Sequence, residues 1–112
     1  MRAPIGEGRI RLPSRIAKDD IITVSAIVTH PMDTGFFRDK DGNPIPAYFI
    51  KDVKVDYAGR EVARFTWTSG ISRDPFVSFS LRADREGPLT MTWTDSKGEV
   101  FSQTANVAFA TA

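Results

Sequence analysis

Apolar residues recur at every second position through most of this chain, in runs cut by short turns. Such a period places one side of an extended segment in a core and the other in water, so it dictates half-buried β-strands. Asp20–His30 sets Ile22, Val24, Ala26 and Val28 on one side. Thr23, Ser25 and Thr29 fall on the other, joined by Ile21 and Ile27. Tyr48–Tyr57 aligns Phe49, Val53, Val55 and Tyr57, and Glu61–Thr68 aligns Ala63, Phe65 and Trp67. Val77, Phe79 and Leu81 alternate with Ser78, Ser80 and Arg82; Leu89, Met91 and Trp93 alternate with Thr90, Thr92 and Thr94. Phe101–Phe109 aligns Phe101, Ala105, Val107 and Phe109, and a short strand at Gly8–Leu12 stops at Pro13. Ala58-Gly59-Arg60 and Asp95-Ser96-Lys97-Gly98 supply turns whose glycines accept positive φ. No stretch of about ten residues holds a helical period.

Seven such strands in 112 residues predict an all-β fold, an immunoglobulin-like antiparallel β-sandwich forming one domain over residues 8–110. A hydrophobic fraction of 41% and a charged fraction of 26% suit one ordinary globular core and argue against disorder. The chain has no cysteine, which removes disulfides, thiolate metal sites and thiol catalysis, and with them the cysteine pair of antibody domains. A net charge of +1 offers no global attraction to nucleic acid or a membrane. The charge is uneven, however: residues 1–18 carry Arg2, Arg9, Arg11, Arg15 and Lys18 against Glu7 alone. That segment reads either as a solvated first strand or as a contact for an acidic partner. Pro4, Gly6, Glu7 and Gly8 interrupt the start of the chain, so no signal peptide is expected there, and no run approaches transmembrane length.

The chemical inventory is thin. His30 is the only histidine; no nucleophile stands in a recognisable elbow to use it as a base, and a strand end next to Pro31 suits local hydrogen bonding. His30 with Met32 would make two ligands of a copper site, which is too few; Met91 belongs to a core alternation. Asp39-Lys40-Asp41-Gly42-Asn43 looks briefly like a calcium loop, but Gly comes fourth and Ile50 stands where the closing Glu belongs, so a turn held by Asp and Asn side chains is expected. Carboxylates are scattered, and phosphate-cradling glycine loops and interleaved basic-aromatic stretches are missing. No catalytic residue, cofactor site or metal site is assigned, and a binding role follows by elimination. Within that class, an alternative reading makes Trp67 or Trp93 a stacking platform for a small ligand or carbohydrate, although both alternate with core positions.

One connection breaks the pattern. Residues 31–47 hold three prolines and two glycines and cannot be a regular strand throughout. Long irregular loops are often functional. This one carries Phe36 and Phe37 side by side. Either the loop presents aromatic anchors to a partner, or it folds back and caps the core.

The run Thr29-His30-Pro31-Met32-Asp33-Thr34-Gly35 resembles the signature of the SoxZ family, the small subunits of the SoxYZ carrier in bacterial thiosulfate oxidation. Asp39-Lys40-Asp41-Gly42, Ile45-Pro46 and Phe49-Ile50 follow in the order of that family. Asp74-Pro75-Phe76-Val77-Ser78-Phe79, Trp93-Thr94-Asp95 with Gly98, and the opening Arg9-Ile10-Arg11-Leu12-Pro13 extend the resemblance over residues 9 to 109. Asp74 departs from it, because Asn is expected there. The resemblance implies a non-catalytic, cofactor-free subunit that pairs with SoxY as a heterodimer or higher assembly. In that family SoxY carries sulfur intermediates on a cysteine of a glycine-rich arm, and other sulfur-oxidation enzymes dock transiently. It implies a periplasmic location reached by co-export with the partner, and a possible homodimer when the subunit is isolated. His30, Met32, Phe36 and Phe37 are the residues expected at the partner interface.

Overall fold

The computed structural model describes residues 5–110. Met1 and Arg2 therefore lie outside the described residues. Seven strands form: β1 (Gly8–Arg11), β2 (Asp20–Val28), β3 (Ile50–Tyr57), β4 (Arg60–Thr66), β5 (Phe76–Ala83), β6 (Gly87–Asp95) and β7 (Val100–Val107). They build two antiparallel sheets, one in the order β1-β2-β5 and the other in the order β4-β3-β6-β7. The sandwich and its seven strands agree with the alternation in the sequence.

Side-chain parity decides which residues meet between the sheets. β2 sends Ile22, Val24, Ala26 and Val28 inward, where they meet Val53, Val55 and Tyr57 of β3 and Leu89, Met91 and Trp93 of β6 in one buried cluster. Ile21 and Ile27 have the opposite parity and stand 69% and 40% exposed on the outer face of the three-stranded sheet.

The two open sides of the sandwich are closed differently. On one side β1 approaches the four-stranded sheet so closely that a Cβ on Gly8 would lie 2.8 Å from the Trp93 ring. Glycine is the residue that lets this backbone approach the indole. On the other side Phe65 of β4 and Phe79 of β5 bridge the gap, with ring centroids 5.9 Å apart.

Strand ends differ from the sequence expectation mainly around the long connection. β2 stops at Val28, two residues short of His30, and β3 begins at Ile50, two residues after Tyr48. Pro31 has no amide to continue the ladder. Met32 adopts φ 50, which turns the chain sharply. At the far end of the sandwich Ala58 and Gly59, with φ 51 and 84, form the two-residue turn joining β3 to β4.

Candidate functional site

The segment from His30 to Ile50 has a foot inside the sandwich and a tip in solvent. His30, just beyond β2, is 1% exposed. Its backbone is clamped by Asp74: the His30 N–H donates to Asp74 Oδ1 at 2.9 Å, and the His30 carbonyl accepts from the Asp74 N–H at 2.9 Å. In the ring, Nδ1 accepts from the Met32 N–H at 3.1 Å. That acceptor role places the ring proton on Nε2, which faces Asp95 Oδ2 at 3.4 Å. Asp95, at the end of β6, is 0% exposed, and its other oxygen accepts the Lys97 and Glu99 N–H groups, each at 2.9 Å. The histidine thus ties the end of one sheet to the end of the other through a buried polar contact whose partners are satisfied.

Around this pair the foot is apolar. Met32 points inward, 4% exposed, and its sulfur accepts the Ile50 N–H at 3.2 Å. The Tyr48 ring lies 4.4 Å from the His30 ring, centroid to centroid, and Lys97 Nζ sits 3.9 Å over the tyrosine. Burial first, and then the carboxylates of Asp95 and Glu99, push the Tyr48 phenol up to about 12.

Beyond the foot the chain leaves the body as a narrow, irregular hairpin. Asp33 and Tyr48 exchange backbone hydrogen bonds of 2.7 and 2.9 Å, Ile45 N–H donates to Phe37 O at 2.8 Å, and Asp39 N–H donates to Asn43 O at 2.9 Å. Arg38 and Pro44 form a further bridge. At the tip Asp39 Oδ1 accepts the Asp41 and Asn43 N–H groups, each at 2.9 Å. This is the side-chain-held turn read from the sequence, except that Asp39 supplies the side chain and Asn43 contributes through its backbone. Every residue from 35 to 44 is exposed. Phe36 and Phe37 are 89% and 67% exposed.

The structure therefore divides the four residues expected at a partner interface. Phe36 and Phe37 are surface groups on the hairpin. His30 and Met32 are interior groups that shape its foot, so the expectation that they offer contact surface is corrected: the φ of Met32 turns its side chain into the core, and both His30 nitrogens are engaged inside the chain. Neither alternative for the long connection holds alone, because its base caps the core while its middle projects.

Asp95, Tyr48 and Asp74 were missed as members of this foot. Asp95 reads as a turn residue, and its turn is real, with the Gly98 N–H donating to the Asp95 carbonyl at 3.0 Å. Sequence gives no sign that the same side chain is buried against a histidine 65 positions earlier. Asp74 sits at φ 50, a conformation that Asp and Asn tolerate, and its Oδ1 does what an Asn oxygen would do. The departure from the expected Asn thus keeps both its backbone conformation and its acceptor. Trp93 is buried between the sheets, 1% exposed, and is no stacking platform; Trp67 is half-buried against the core.

Two antiparallel sheets around one core, with a hairpin built on a His–Asp clasp, define an all-β sandwich. The chain belongs to the SoxZ family: the family model described as sulphur oxidation protein SoxZ matches residues 10–106. No curated protein matches the sequence significantly. Several solved structures share the fold. A variant of superoxide reductase (neelaredoxin) from Ignicoccus hospitalis aligns with TM-score 0.71 at 16% identity, covering 96% of this chain and 83% of that one. A superoxide reductase (neelaredoxin) from Archaeoglobus fulgidus gives 0.66 at 17%, covering 97% and 94%. The sulfur carrier protein SoxY from Chlorobium limicola f thiosulfatophilum gives 0.62 at 15%, covering 93% and 79%. At such identities these likenesses establish the architecture alone. The chain has one histidine and no cysteine, and among the described residues no three His, Cys, Asp or Glu side chains gather where they could hold a metal ion.

Proposed function

We propose that this chain is the non-catalytic subunit of a SoxYZ carrier and that its hairpin, through Phe36 and Phe37, anchors it to SoxY. Family membership supports the sulfur-oxidation role. The observation that carries the anchor is the exposure of two adjacent phenylalanines on a hairpin held by backbone hydrogen bonds. Leaving each ring in water forgoes roughly 1.5–3 kcal/mol of burial, a cost that a partner pocket would recover. A hairpin fixed at its foot also loses little conformational entropy on docking.

In this reading the reactive sulfur rides on a cysteine of SoxY, since this chain has none to offer. The pair works in the periplasm, exported together, and other sulfur-oxidation enzymes visit it transiently. A module for small ligands has less support, because Trp93 is enclosed.

Co-expression with SoxY followed by native mass determination tests the proposal. A stable complex is expected with the parent chain, and its loss with Phe36→Ala plus Phe37→Ala. Normal pairing of that double variant removes the anchor. Thiosulfate turnover, or a covalent sulfur adduct, on the purified chain by itself overturns the non-catalytic role.

A further inference from the structure

The outer face of the three-stranded sheet carries a second surface, built from residues outside the hairpin. Arg9 of β1 stands opposite Ile27 of β2, and Ile27 stands opposite Phe76 of β5, so these three side chains form one cross-strand row. Arg11 lies two residues along β1 on the same face, opposite Ser25. Ile27 is 40% exposed and Phe76 65% exposed. An open groove of about 750 Å³ lies over this face, lined by the basic Arg9 and Arg11, the small Ser25 and the apolar bank of Ile27 and Phe76.

Charge makes this groove selective. Among the described residues neither Arg9 nor Arg11 has an ion pair or a side-chain hydrogen bond, and both stand on one face two residues apart. Two uncompensated guanidinium groups beside an apolar bank suit a ligand that is acidic and apolar at once. A second copy of this chain would bring arginine against arginine across a symmetric contact, which Coulomb repulsion disfavours.

We propose that this groove docks an extended segment of another protein in which carboxylates alternate with apolar side chains. The carboxylates pair with Arg9 and Arg11, and the apolar groups cover Ile27 and Phe76. The proposal goes beyond the hairpin anchor and does not depend on it, since different residues carry each.

The test titrates the isotope-labelled full chain with a synthetic twelve-residue peptide alternating Glu with Leu or Val. NMR shifts are expected at residues 9–12, 25–27 and 76. Arg9→Glu with Arg11→Glu should weaken binding at least tenfold, and Phe76→Ser should also weaken it while leaving the spectrum of the folded chain in place. Both sites are exposed, so neither variant threatens the core. Equal binding of the peptide with Lys in place of Glu overturns the proposal. So do shifts confined to the hairpin, unchanged affinity in the charge-reversed variant, or tighter binding of oligothymidylate or phosphatidylglycerol vesicles than of the acidic peptide. Because the readout is the groove itself, a failure of the hairpin anchor leaves this result interpretable.

Discussion

At the foot of the hairpin His30, Met32 and Tyr48 are packed inside the sandwich; a few residues further on, Phe36 and Phe37 stand in water. Both regions belong to one connection, and both are rich in residues that would usually be buried or used. They differ in what holds them. The foot is fixed by side chains reaching across from both sheets, Asp74 and Asp95 above all. The middle is fixed by contacts within the hairpin, namely its own backbone and the side chains of Thr34, Arg38 and Asp39. The foot therefore answers to the stability of the whole domain, and the middle answers to contacts within the hairpin itself. The positive φ of Met32 is the hinge between the two regimes: such a conformation costs on the order of 1–3 kcal/mol and persists because its surroundings hold it.

The sharpest way to break this contrast is in the middle of the hairpin. Phe36→Ala with Phe37→Ala should weaken association with SoxY by several kcal/mol, at roughly 2–4 kcal/mol for each buried aromatic anchor. Calorimetric titration measures the loss, and the melting temperature of the isolated chain should barely move. If the chain melts early instead, the rings belong to its own core.

Met32→Ala should do the reverse. Removing a buried side chain of this size costs about 2–5 kcal/mol of stability, seen as a lower urea midpoint. Affinity for the partner should change less than stability does. A Met32→Ala chain as stable as the parent would show that the foot is not packed as described.

Tyr48 gives the foot a signature in pH. Its phenol titrates near 12 when folded against 10.0 for the unperturbed group. Protonated Tyr48 therefore contributes stability that is complete below pH 10 and is lost as pH rises from 10 towards 12. The full contribution is about 2–3 kcal/mol at 1.36 kcal/mol per pH unit. Urea unfolding of the parent against Tyr48→Phe across this pH range isolates it. A pH slope identical in the two chains between 10 and 12 would refute the buried phenol.

The smallest effect is expected at Asp74. Asp74→Asn keeps an oxygen for the His30 amide and tolerates the same backbone conformation, so stability should shift by no more than ~0.5 kcal/mol. A much larger loss, measured by the same unfolding assay, would mean that the charge of Asp74 matters to the foot.

Much of this molecule is written locally. Alternation of period two is a property of neighbouring residues, and it fixed the strands, their number and which side of each is buried, down to the exposure of Ile21 and Ile27; the exception is the start of β3, where a register shift buries Ile50 and leaves Phe49 half-buried. The turn at Asp39 and the two-residue turn at Ala58-Gly59 are equally local, because their hydrogen bonds or dihedral demands fall within a few residues. The His-Pro-Met run was legible as a marker of family, but its physical role was not. Pairing His30 with Asp95 requires the ends of two different sheets to meet, and the approach of Gly8 to Trp93 requires the sandwich to close. The inward turn of Met32 and the outward course of Phe36 and Phe37 were decided there as well. Sequence specifies such contacts only through the whole fold, since burial of a polar side chain depends on which distant partner satisfies it.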